Sequence, residues 1–171
     1  MSIQIRAAVP DDAVSIALVL HESFVEYQSL YTPEGFAATT PAPDEIKVRL
    51  SEGPMWVALR DNQIVGTVSV VPKDGSLYIR GMAILPAARG ARIGELLLKQ
   101  IESFAAEHNH RRLFLSTTPF LARAIRLYEK FGFQRNGEGP HDLFGTPLVT
   151  MEKTLEDSKS VDIPAESGEA N

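Results

Sequence analysis

The chain has no cysteine. Disulfides, thiolate metal sites and a cysteine nucleophile are therefore excluded at once. It has no run of about 18 apolar residues, so no segment reads as a membrane-spanning helix. The opening Met1-Ser2-Ile3-Gln4-Ile5-Arg6 lacks a charged stretch followed by an apolar one, so no secretory leader is expected. Basic residues are not in excess: 17 Lys and Arg face 22 Asp and Glu. That balance does not favour the basic face that nucleic-acid binding demands. The expectation is a cytoplasmic protein with neither nucleic acid nor membrane as a partner.

What is present fits one folded unit. A length of 171 residues suits a single domain, since single cores run to roughly 100–200 residues. The composition, 44% hydrophobic and 23% charged, is ordinary for a globular chain. The net charge of −5 is unevenly placed: Glu156 to Asn171 hold five acids and one base, so residues 1–155 carry about −1. The terminal stretch has no aromatic residue and is expected to be a disordered acidic tail. The reading is a domain over 1–155 and a tail over 156–171.

Periodicity sets out the elements. Ile3 to Arg6 alternates as a strand. Pro10-Asp11-Asp12 suits a first helical turn, and Ala13, Ile16, Leu20, Phe24 and Tyr27 form the buried stripe of that helix. Residues 28–43 read as an irregular excursion. Asp44 is expected to cap a short helix over 45–50, which Gly53-Pro54 ends. Residues 55–60 and 64–71 read as a hairpin around Asp61-Asn62-Gln63, and 77–85 as the next strand. Helices follow over 93–108 and 119–131, with a short apolar strand at 113–115 between them. Strands at 133–135 and 148–153 flank a loop over 138–146. The order β-α-α-β-β-β-α-β-α-β-β predicts an α/β fold with a mixed sheet of about seven strands and helices on both faces.

The segment Arg89-Gly90-Ala91-Arg92-Ile93-Gly94 lies between a strand and a helix. Glycines there let backbone approach an anion, and the first helical N–H groups carry partial positive charge. Arg89 and Arg92 add full charges. A plain turn before a helix is an equally good reading on spacing alone. A Walker loop is absent. A nicotinamide fingerprint fits poorly, because only Gly90 and Gly94 are present and three strands precede them.

Two stretches carry a resemblance. Ile79 to Pro86 followed by Arg89 to Leu97 resembles the acyl-CoA-binding motif of the GNAT (GCN5-related N-acetyltransferase) family, Arg/Gln-x-x-Gly-x-Gly/Ala. Ala124-Ile125-Arg126-Leu127-Tyr128-Glu129-Lys130-Phe131-Gly132-Phe133 resembles its second motif, Ala-x-x-Leu-Tyr-x-x-x-Gly-Phe. The motifs stand in the family's order, about 35 residues apart, within a likeness covering roughly residues 3–154. Two positions depart from the pattern. Arg92 replaces the signature's middle glycine, and Leu121 stands where many members carry asparagine.

The resemblance implies a GNAT fold and direct acetyl transfer from acetyl-CoA to a primary amine of a small molecule or peptide. It implies cofactor contacts at Met82, Ala83 and Ile84 and along Arg89, Gly90, Ala91, Arg92, Ile93 and Gly94. Tyr128 is the implied general acid at the leaving sulfur. The general base stays open among Glu22 and Glu26 on the first helix, His141 in the late loop, and a water chain. Tyr27, Tyr31, Phe36 and His141 are candidates to line the amine site, although the same rings would also serve to pin an irregular loop to the core. One or two acids at its mouth are expected to suit a cationic amine. No metal is implied. A non-catalytic acyl-CoA sensor on the same fold is the alternative, and the protein is expected to be a monomer or homodimer.

Overall fold

A computed structural model describes residues 2–156. The expected acidic tail lies outside the described residues except for Glu156. The main sheet has seven strands: β1 (Gln4–Ala7), β2 (Met55–Arg60), β3 (Gln63–Lys73), β4 (Ser76–Ile84), β5 (Arg112–Thr117), β6 (Gln134–Asn136) and β9 (Val149–Thr154). Their order is β1-β2-β3-β4-β5-β9-β6. All neighbours are antiparallel except β4 and β5, which run parallel. This is the mixed α/β architecture that the element order predicts.

Five α-helices flank the sheet: α1 (Ala13–Phe24), α2 (Pro33–Thr39), α3 (Pro43–Leu50), α4 (Ile93–Glu107) and α5 (Ala122–Lys130). On one face Ile16, Val19 and Leu20 of α1 and Ile46 of α3 pack on Val57 and Ala83. On the other, Ile93, Leu97 and Ile101 of α4 and Ile125 of α5 pack on Val68, Leu77 and Leu113. Each of these Val, Leu and Ile side chains stabilises by roughly 1.5–3 kcal/mol on burial. A helix covering each face is what the amphipathic stripes of α1 and α4 require.

The entry to α1 depends on one acid. The Asp12 carboxylate accepts from both Arg6 guanidinium nitrogens, at 2.8 and 3.1 Å, and from the Val9 N–H at 2.9 Å. Arg6 above all holds this carboxyl below its usual range. Asp12→Ala is expected to destabilise the fold by about 1–2 kcal/mol. Because the folded value lies below the unfolded one, the wild-type advantage is full above about pH 4 and fades as pH falls further. Urea titrations of both proteins at pH 7 and pH 3 check this, the gap between them narrowing at pH 3.

Several local expectations need correction. Residues 28–43 are not irregular: a 3₁₀ stretch over Val25–Leu30 leads into α2. Thr32 Oγ1 accepts from the Gly35 N–H at 3.0 Å and Pro33 occupies the first helical position. Tyr27 therefore falls on the 3₁₀ stretch, not on the stripe of α1, which ends at Phe24. Asp44 does not cap α3. The cap is Ala42, whose N–H is taken by the Glu45 carboxylate at 2.9 Å. The last long helix begins at Ala122, three residues later than expected, because Pro119 and Phe120 sit in a turn. The loop over 138–146 contains a hairpin, β7 (Asp142–Leu143) with β8 (Thr146–Pro147). Its turn residues Phe144 and Gly145 both have positive φ, at 50° and 93°.

Candidate active site

β4 and β5 pair from Ser76↔Arg112 to Ile79↔Leu115 and then part. Beyond Ile79, β4 keeps its ladder to β3 on one edge only. Its other edge faces a cleft of about 580 Å³. Between Thr67↔Ala83 and Ser69↔Arg80 the register slips, with one extra residue on β4. Gly81 in this bulge takes φ +66°, a conformation that L side chains rarely adopt. The bulge and the splay together turn the backbone of Met82 to Ile84 toward the cleft, where those residues line one wall.

At one end of the cleft lies the glycine loop. Ala88, Arg89, Gly90, Arg92, Ile93 and Gly94 line it. The backbone N–H groups of Gly90 to Gly94 donate to no described residue. Two of these amides belong to the first turn of α4, where the helix dipole adds positive potential. Gly90 has φ +88° and open space on its Cβ side. Gly94 is packed instead: a Cβ there would lie 2.6 Å from Leu127 Cδ2 and 3.4 Å from Ile84 Cδ1. This lets α4 pack close to α5 and β4. The arrangement is an anion cradle built from backbone, and it fits a diphosphate.

Arg92 takes the left-handed conformation that its place in the pattern requires, with φ 62° and ψ 25°. Its side chain is 77% exposed and its nearest acid is Glu95, 4.0 Å away. A non-glycine residue there carries about 1–2 kcal/mol of strain. Arg92→Gly is expected to relieve it, less a part lost to greater freedom in the unfolded chain. Its ligand-free thermal midpoint should equal or exceed that of the wild type, as scanning calorimetry would measure.

Arg89 does not present a free guanidinium to the loop. It donates to Glu26 at 2.9 Å and to the Ser23 carbonyl at 3.4 Å. The Ser23 hydroxyl in turn donates to the Ile84 carbonyl at 2.9 Å. These bonds tie the end of α1 to the end of β4. Glu26, one of the candidate bases, thus has its carboxylate paired with Arg89. Glu22 and His141 are exposed, and neither lines the cleft. Ala91 and Phe36 are likewise absent from its wall.

Tyr128 does line it. The residue is 5% exposed, its ring 5.7 Å from that of Phe133. Burial pushes its phenol well above the ordinary tyrosine value, so it stays protonated. Its hydroxyl donates to no described residue. Leu121 caps α5 and also lines the cleft.

The far end is built by the segment after α1 and by the β7–β8 hairpin. Thr32 N–H donates to Thr146 Oγ1 at 2.9 Å, and Thr32 Oγ1 donates to the Phe144 carbonyl at 2.9 Å. Tyr27 and Tyr31 line the cleft here, with Phe120 against both at 6.1 and 5.0 Å. Phe36 stands behind, 5.8 Å from Tyr31. Burial raises the Tyr31 phenol, although Thr118 and Thr39 hydroxyls pull the other way. Sequence reasoning missed Arg49, Arg80 and Phe120. Nothing in their local sequence marks them, because α3, β4 and the turn before α5 meet only in the fold.

The expected acids are missing from this end. The acid in the described cleft wall is Glu95, at the loop end, where Lys130 holds it at 2.9 Å and keeps its carboxyl below the usual range. Against it stand Arg49, Arg80, Arg89, Arg92 and Arg123.

The sheet thus splits at its one parallel pair, with an anion cradle at the mouth and a buried phenol in the wall, a mixed α/β fold shared with solved GNAT acetyltransferases. The family description "Acetyltransferase (GNAT) family" matches residues 19–133. The chain belongs to that family and is an N-acetyltransferase. It is 31% identical over 135 residues to the uncharacterized N-acetyltransferase YjgM of Escherichia coli (strain K12), covering 75% of this chain and 80% of that one. To the IAA acetyltransferase of Azospirillum brasilense it is 36% identical over 103 residues, 58% of this chain and 66% of the other. It spans only 30% of the N-acetylaspartate synthetase of Danio rerio, at 34% identity. Among solved structures, the PaiA N-acetyltransferase of Thermoplasma acidophilum in complex with coenzyme A aligns with TM-score 0.75 at 20% identity, covering 91% of this chain and all of that one. That likeness is one of fold. Among the described residues no helix is long and apolar enough to cross a membrane.

Proposed function

We propose that the protein transfers the acetyl group of acetyl-CoA directly to a primary amine, with Tyr128 as the general acid. The observation that carries this reading is the continuity of the cleft. One wall runs from unpaired amides at Gly90 to Gly94, past the free edge of β4, to Tyr128 and the aromatic end.

The amides of Gly90 to Gly94 would hold the diphosphate, and the β4 edge at Met82 to Ile84 would hold the extended arm by strand-like hydrogen bonds. Bound acetyl-CoA supplies an activated thioester. An amide of this β4 segment would polarise its carbonyl. Tyr128 would give its proton to the departing sulfur. No side-chain base lines the described cleft near Tyr128, so the amine would lose its proton to water before or during attack. The Arg89–Glu26 pair would hold α1 against the loop rather than take part in chemistry.

Calorimetric titration with acetyl-CoA, followed by a thiol-release assay over a panel of amines, tests the reading. Micromolar binding and release of one thiol per amine acetylated is the expected result. Binding without release on any amine would identify an acyl-CoA sensor instead.

A further inference from the structure

The acceptor end of the cleft carries two guanidinium groups. Arg49 sits in the last turn of α3, part-buried. Its Nη1 lies against the β4 bulge, 3.5 Å from where a Cβ on Gly81 would stand. Its Nη2 donates to the Ala38 carbonyl at 3.3 Å. No Asp or Glu among the described residues forms an ion pair with it. Glu45 and Glu52 act on it only at longer range. Burial and the neighbouring Arg80 both disfavour its charge.

Arg80 pairs with Glu52, yet its Nε is buried without an acceptor. Buried polar atoms are normally satisfied, and a charge held out of water needs an opposite charge. Arg49 and Arg80 line the cleft, whereas Glu45 and Glu52, the acids that act on Arg49, do not, so the cleft wall here presents positive charge. A polycationic amine meets no counter-charge there. A planar anion of carboxylate type fits guanidinium geometry.

Resting on the transferase reading above, we infer that the acceptor is a small primary amine that also bears a carboxylate, held by Arg49 with Arg80 alongside. The anchored carboxylate leaves the amine end of the same molecule to reach the β4 edge at Met82 to Ile84. Arg49, whose Nη1 lies beside Gly81 just before that edge, is then a specificity determinant.

Matched pairs of acceptors test this: L-phenylalanine with phenethylamine, L-methionine with 3-(methylthio)propylamine, and β-alanine with ethylamine, with spermidine as the polycation. The carboxylated member of at least one pair should show kcat/KM about 10- to 100-fold above its partner, the loss expected for one charge-assisted contact. Arg49→Met should erase that preference, and Arg49→Lys should restore part of it. The circular dichroism of both variants should match the wild type. Faster turnover of the carboxylate-free members or of spermidine would overturn the inference and leave the transferase reading standing. Thermal shift with N-acetyl-L-phenylalanine against N-acetylphenethylamine reads the anion site without turnover. Arg49-dependent stabilisation by the acid alone supports the site even if no amine is acetylated. Neither turnover nor that stabilisation would overturn both.

Discussion

Tyr128→Phe lowers kcat by about 10²- to 10⁴-fold, the usual worth of a positioned general acid, while acetyl-CoA affinity changes by no more than about twofold. The substitution removes one oxygen and keeps the ring that packs on Phe133. Because the hydroxyl donates to no described residue, its loss strands no buried partner. Stability should therefore hold, and a thermal midpoint near that of the wild type separates a chemical from a folding effect. The pH profile adds a second check. With its phenol raised by burial, Tyr128 remains a proton donor across the working range. Wild-type kcat/KM should rise with pH as more of the amine becomes free base, with no alkaline fall up to about pH 10. A fall centred well below that, or unchanged turnover in Tyr128→Phe when chemistry limits the rate, would remove Tyr128 as the acid.

Gly94→Glu should abolish measurable acetyl-CoA binding, a loss of at least about 100-fold. The new carboxylate would stand in the first turn of α4 and compete for amides otherwise open to a phosphate. Its Cβ would also press on Leu127 Cδ2. Gly94→Ala isolates that steric part. Leu127 is the far end of a side chain and can shift, so the alanine variant should lose about 1 kcal/mol of stability yet bind within a fewfold of wild type. Calorimetric titration of both variants, with circular dichroism to establish folding, decides the outcome. A folded Gly94→Glu protein with wild-type affinity would show that the diphosphate is not bound at this loop.

The fold was legible where local signals are strong. Alternation in the strands, the stripes of α1 and α4, and the glycine loop between strand and helix all follow from short-range chemistry. The left-handed Arg92 was readable too, because the pattern demands a glycine there. The rest depended on contacts distant in sequence. Arg89 and Glu26 are 63 residues apart and meet only when α1 packs on β4. Read alone, each suggests a free charge with a job at the site. Arg49 reads as a solvated helix end until the bulge at Gly81 comes against it. Helix α2 was hidden differently. It is seven residues long, and its one clear signal is Thr32-Pro33, a cap followed by a first-turn proline. The three prolines between residues 28 and 43 suggested an irregular path instead.

The parting of β4 and β5 has a mechanical corollary. Four residue pairs form a spine, and beyond Ile79 and Leu115 the sheet is an open book: β1 to β4 one cover, β5, β9 and β6 the other. Whatever occupies the gap touches both covers and acts as a clasp. Its binding free energy would then be added to the cohesion of the whole fold by mass action, so a cofactor held there would serve the architecture as well as the reaction.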